Sequence, residues 1–170
     1  RKVADLDLEG MPHLGSGITW DWTDKDGITH PVMASPNLKD GRISVIDMKT
    51  WKTVKVIPTL GPGFFLRSHE ATPYAWADVF FGKNKDVMQV IDKRTLEVVA
   101  NLIPEPGKTT THVEFDRYGK YALVSIWEKD GALIVYDAKT FKEIKRLPMK
   151  RPVGKYNVWN KTQLSAGTSH

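Results

Sequence analysis

The sequence contains no cysteine, and that one absence removes three chemistries. Disulfide staples, zinc–thiolate sites and covalent haem attachment through C-x-x-C-H are all excluded within these residues. A chain without thiols also suits an oxidising compartment. Long apolar runs are missing as well. None approaches the ~20 residues that cross a bilayer, so no membrane span is expected. The opening stretch, RKVADLDLEG, carries no initiator Met, signal peptide or tag, and reads as a mature or truncated end. There is no G-x-S-x-G, no Walker-type loop and no H-E-x-x-H. Charge of one sign is not concentrated either: the net +5 is spread along the chain. Nucleic-acid binders gather such charge on one face, so no nucleic-acid partner is expected.

What is present is a repeat. ISVIDMKTWKTVKVIP, MQVIDKRTLEVVANLIP and LIVYDAKTFKEIKRLP align on Asp47, Asp92 and Asp137, which stand 45 residues apart. Each reads as a strand, then D-x-K/R-T, then an apolar residue opening a second strand. Alternation of Lys or Arg with apolar residues in KTVKVI and KEIKRL has the period of a half-buried strand. An Asp between two strands accepts turn N–H groups, so the three Asp residues read as turn formers. Asp-Gly at Asp40–Gly41 and Asp130–Gly131 adds hairpin signals. Four strands per ~45 residues without a helix match a β-propeller blade. The fold expected is all-β: about three and a half four-stranded blades of a larger ring, with HVEFD an innermost strand and KEIKRLP an outermost one.

Histidine is scarce, five in all. His112 lies 25 residues before Asp137, His69 lies 23 before Asp92, and His13 lies 34 before Asp47, with the extra length in WDWTDKDGITH. Inner strands surround a propeller's axis, so three imidazoles heading three blades are expected to converge at one mouth. A lone inner-strand histidine is ordinarily just a polar strand or turn residue. Convergent ones can bind a metal, ligate haem iron or pass protons to an anion. No carboxylate keeps a fixed spacing from them, which weighs against a zinc hydrolase. His30 reads as an insertion-loop residue and His170 as part of the C-terminus. Most of the six tryptophans read as packing between blades. Trp127 and Tyr156 can instead wall a flat macrocycle, and Arg67 is a candidate partner for its carboxylates.

MPHLGSG, FFLRSHEATPYAWAD, HVEFDRYGKYALVSIWEKDGALIVYDAKTFKEIKRL and PVGKYNVWNK run in that order over nearly the whole chain. Together they resemble the eight-bladed haem d1 propeller of the dissimilatory nitrite reductases called cytochrome cd. The resemblance implies that residues 1–170 are the C-terminal portion of that propeller. Its N-terminal blades, its proximal iron ligand and a domain carrying haem c would lie outside them. It implies that His13 and His69 donate protons to nitrite over haem d1 and that Trp127, Gly154 and Tyr156 line the macrocycle. The chain would then work in the periplasm as a homodimer, fed by a small c-type cytochrome or a cupredoxin. One-electron reduction of nitrite to nitric oxide, in denitrification, is the expected activity.

The chain departs from those reductases in three places. HEATPYAWAD replaces their His-Pro-Lys/Asn-Ser, MPHLGSGITWDW lacks their Pro-Gly-Arg-Gly continuation, and His112 stands where they carry glutamine. His112 would suit the related dihydro-haem d1 dehydrogenase of cofactor biogenesis, in which a distal histidine holds the haem. That dehydrogenase, or a haem d1 carrier, is the alternative reading. A non-catalytic propeller scaffold is the alternative of a different class.

Overall fold

The computed structural model describes residues 1–13 and 15–163. Twelve strands form three four-stranded antiparallel sheets, each in plain sequence order. The first sheet holds β1 (Ile18–Thr23), β2 (Thr29–Pro36), β3 (Arg42–Asp47) and β4 (Lys52–Pro58). The second holds β5 (Leu66–Ser68), β6 (Tyr74–Asp78), β7 (Met88–Asp92) and β8 (Glu97–Leu102). The third holds β9 (Thr110–Phe115), β10 (Tyr121–Ile126), β11 (Ala132–Asp137) and β12 (Glu143–Pro148). These are three whole blades. Among the described residues the flanks add an isolated bridge, Pro12 to Asn37, and a short helix, α1 (Val158–Gln163), which the strand pattern did not indicate. His170 lies outside the described residues.

The repeated Asp makes the same corner three times. Its Oδ1 accepts the N–H groups two and three residues on: Lys49 and Thr50 for Asp47, Arg94 and Thr95 for Asp92, Lys139 and Thr140 for Asp137. The next residue, Trp51, Leu96 or Phe141, has a φ of 54°, 59° or 60° and donates its N–H to the carbonyl of the Asp. This left-handed residue turns the chain into the outer strand, and the register shifts beside it in all three blades.

Burial falls from the inside of each blade outward. β9 is buried along its whole length and β12 is mostly exposed, as the alternation of KEIKRLP requires. Two apolar cores lie between neighbouring blades. Ile18, Ile43, Ile57, Leu66 and Ile91 fill one, and Trp76, Met88, Phe115, Val124 and Ile134 fill the other. WDWTDKDGITH is no loose insertion. It extends the first hairpin, pairing from Ile18–Ala34 down to Thr23–Thr29. His30 is accordingly a strand residue. Its ring bridges Asp24 and Asp47, at 3.0 and 2.8 Å, and the two carboxylates, Asp24 foremost, raise its pKa.

Candidate functional site

Five side chains at one end of the inner strands, Phe64, Phe65, Phe80, Trp127 and Val153, enclose an apolar hollow of about 190 Å³. Trp127 stacks on Phe80 with ring centres 5.7 Å apart. His13 packs on Phe64 at 4.3 Å, and its Nδ1 donates to the Phe64 carbonyl at 2.5 Å. In the neutral ring that leaves Nε2 as the proton-accepting nitrogen. His112 packs edge-on to Phe65 at 4.4 Å and against Tyr156 at 5.2 Å. His13, His112, Trp127 and Tyr156 therefore share one wall, with Phe64 and Phe65 as the links between them.

His112 is unusual in its backbone. It is fully buried within β9 yet has a φ of 49°. β-Strands do not take that conformation, and a non-glycine residue adopts it only when its surroundings enforce it. The cause is a bulge. Thr111 faces Ser125 and Glu114 faces Leu123, so His112 and Val113 together oppose the single residue Val124.

Beneath this wall lies a buried polar cluster. Asp78, at the end of β6, takes N–H groups from Phe64 and Phe65 on Oδ1, at 2.7 and 3.0 Å. On Oδ2 it takes the Thr111 hydroxyl at 2.6 Å and the His112 N–H at 3.3 Å. Burial pushes the pKa of its carboxyl up, against the pull of these donors. Lys155 donates to the His112 carbonyl and to Ser125 Oγ. Burial presses its ammonium down to about 7, against the nearby Glu114 and Asp78 carboxylates. Arg67 is fully buried on β5, and desolvation lowers its pKa against the attraction of Glu114. Gly154 has a φ of 69°, which turns the chain before Lys155; a side chain there would meet only the Tyr156 ring, at an ordinary 3.7 Å.

His69 stands elsewhere. Tyr74 faces Asp92 and Tyr121 faces Asp137, so these tyrosines mark equivalent points of their blades. His69 is five residues before Tyr74, whereas His112 is nine before Tyr121. The structural counterpart of His69 is thus Asp116, while His112, the extra residue of the bulge, falls beside the position that Phe65 and Leu66 hold in the second blade. Counting back from the repeated Asp hid this. Tyr74 stands 18 residues before Asp92 but Tyr121 only 16 before Asp137, so at equivalent positions the β6–β7 connection is two residues longer. His69 follows β5 at the far end of the inner strand, buried against Phe115 and the Gly119 turn. Its Nδ1 accepts the Ala71 N–H at 3.0 Å. The expected convergence of three imidazoles is therefore not met. Four residues of extended chain, about 13 Å, separate His69 from Phe65 and the hollow. Among the described residues no group of three His, Asp or Glu side chains could hold a metal ion.

The wall fits a flat, largely apolar macrocycle that carries carboxylates. Aromatic faces supply contact area, His13 and His112 supply imidazoles, and Lys155 and Arg67 place cationic side chains close by. At about 190 Å³ the hollow is smaller than the roughly 300–1,000 Å³ of a complete ligand pocket, so these residues form one side of a site. The motif reading overlooked Asp78 and Lys155. The available signals were an acidic residue closing the apolar strand YAWAD and a lysine inside GKYNVWN.

These blades and this wall define a propeller-type haem-binding domain. Residues 1–161 match the family described as Cytochrome D1 heme domain, and the chain belongs to it. Dihydro-heme d1 dehydrogenase of Pseudomonas aeruginosa is 56% identical over 169 residues, covering 99% of this chain and 33% of that protein. Protein NirF of Stutzerimonas stutzeri is 32% identical over 91% of this chain and 36% of its own length. The solved structure of dihydro-heme d1 dehydrogenase NirN in complex with DHE superimposes with a TM-score of 0.87 at 57% identity, covering 94% of this chain and 33% of that one. The chain therefore spans about a third of the length of the curated relatives it matches.

Two findings overturn nitrite reduction as the expected activity. Nearly the whole chain matches a dehydrogenase of dihydro-haem d1, which is not a nitrite reductase. The reductase reading also needs His13 and His69 over one small anion, and the inner strand holds them apart. Nitrite as substrate falls with it. Among the described residues no helix is long and apolar enough to cross a membrane.

Proposed function

We propose that this chain is the C-terminal part of a haem d1-type propeller that binds dihydro-haem d1 and takes part in its dehydrogenation to haem d1. The observation that carries the reading is His112. Its buried imidazole is wedged between Phe65 and Tyr156 at the edge of the aromatic wall. The reductases this sequence resembles carry glutamine at that place. The 56% identity to a dihydro-heme d1 dehydrogenase supports it further.

Dehydrogenation takes two electrons and two protons from the substrate. The macrocycle and its iron supply the electronic path, and the electrons pass to an oxidant outside these residues. What this chain contributes is positioning and proton acceptance. Trp127, Phe65 and Tyr156 hold the flat faces and keep water from them. Arg67 is the cation for a carboxylate. His112 fixes the macrocycle, and Nε2 of His13 is free to take a proton, because Nδ1 is committed to the Phe64 carbonyl.

The test uses the full-length protein with dihydro-haem d1 and an artificial one-electron acceptor. Conversion is followed by visible absorption and by the loss of two hydrogens in mass. The wild type is expected to convert the substrate, and His112→Ala to lose roughly a hundredfold in rate. Tight binding without conversion would instead make the protein a carrier. No binding would leave a propeller scaffold.

A further inference from the structure

We propose that Lys155 is a positioning residue that, together with Asp78, grips the backbone on both sides of His112 and so aims its imidazole at the pocket wall. The inference rests on the function proposed above for His112, but its evidence is separate. A bulge removes the ladder partners of the bulged residue. His112 therefore needs another acceptor for its N–H and another donor for its carbonyl. Asp78 Oδ2 accepts the N–H at 3.3 Å, and the Lys155 ammonium donates a hydrogen bond to the carbonyl. One carboxylate and one amine thus replace the missing strand. They enforce a φ of 49°, a conformation a non-glycine residue holds only when its surroundings fix it.

Both halves of this grip reach further into the site. The other oxygen of Asp78 holds the N–H groups of Phe64 and Phe65, so one side chain sets the wall and the histidine together. Lys155 arrives on the terminal segment, which is pinned to β9 by its own contacts. Asn157 and Asn160 both donate side-chain N–H to the Phe115 carbonyl, at 3.0 and 3.1 Å. The Asn157 N–H meets Glu114 Oε2 at 3.3 Å. Ser125 Oγ, 2.5 Å from Nζ, fixes the amine from β10. Glu114, Asp78 and Arg67 are the charged groups that act on the amine. Burying an ammonium is a poor way to gain stability. A lysine kept in this place is explained by what it orients.

The decisive experiment observes His112 directly. In full-length protein with isotope-labelled histidine, wild type and Lys155→Arg are expected to give one sharp set of His112 ring resonances without any ligand. Lys155→Met, which keeps the length but removes the donors, is expected to broaden or multiply them. In the dihydro-haem d1 assay the same variant should lose roughly tenfold to a hundredfold in kcat, with KM changed far less. If Lys155→Met lowers the melting temperature but leaves the ring signals and kcat as in the wild type, the lysine only anchors the terminal segment and the inference is wrong. Should Lys155→Met not fold, Ser125→Ala removes one partner of the amine, and unmoved His112 signals there overturn the inference equally. If the wild type fails to convert dihydro-haem d1, the proposed function falls, while the ring signals still decide the role of Lys155.

Discussion

Lys93 shows what burial does to a single amine on the opposite side of the blades. It sits in a cleft lined by Trp20, Trp22, Glu70 and Arg94, its Nζ donates to the His69 carbonyl at 3.2 Å, and burial presses its pKa down to about 8. In the unfolded chain the amine titrates near its ordinary 10.5. Between the two values the unfolded state binds more protons than the folded one, so stability rises with pH through that window and is lost as pH falls toward 8. Urea midpoints of wild type and Lys93→Met at pH 7.5 and 9.5 should therefore differ in slope, the wild type gaining more on going basic. Parallel behaviour would mean that the amine is solvated. The other charged groups of the cleft are common to both proteins and cancel in the difference. At this scale the sequence was partly legible. His112 and Tyr156 are in contact and Trp127 stacks on Phe80 in the same wall, residues whose type alone, aromatic or imidazole in a quoted motif, makes them candidates. Asp78 and Lys155 were not legible, because their partners lie between 13 and 43 residues away and only the folded register brings them together.

The corner between the third and fourth strands is the element read most fully from sequence, since every bond in it is local. Asp137→Ala removes two side-chain hydrogen bonds, to the N–H groups of Lys139 and Thr140, and should lower the denaturant midpoint of the full-length protein. Asp47→Ala should cost more, because Asp47 also holds the ring of His30. Equal losses would mean that the His30 bridge adds nothing. The phase of the inner strands was misread for the opposite reason. Whether a histidine falls at the near or the far end of β5 or β9 depends on connection length and on a bulge, and neither leaves a local mark. His69 falls at the mouth only in a count that ignores a β6–β7 connection two residues longer than its counterpart. Trp76, by contrast, behaves as most of the tryptophans are expected to. It is fully buried between the second and third blades, and Trp76→Ala should cost about 3–5 kcal/mol.

Taken whole, these residues are three blades that meet across two apolar cores, with Val3, Met11, Val153 and Trp159 among the exposed apolar side chains. A propeller ring takes about 4–8 blades, so three leave two blade faces uncovered. Residues 1–170 prepared alone are therefore expected to self-associate in light scattering, and a clean 19.2 kDa species would show that the flanks need no cover. The repeat makes the blades visible in the sequence, because every unit carries the same Asp corner. The rim has a consequence of its own. β4 and β12 are each bonded on one side only, yet Lys52 and Lys55 on the one, Lys145 on the other, and the terminal Pro58 and Pro148 make both poor templates for a further strand. β8, the third outer strand, carries neither lysine nor proline in EVVANL, so of the three outer edges it is the one most open to a further strand.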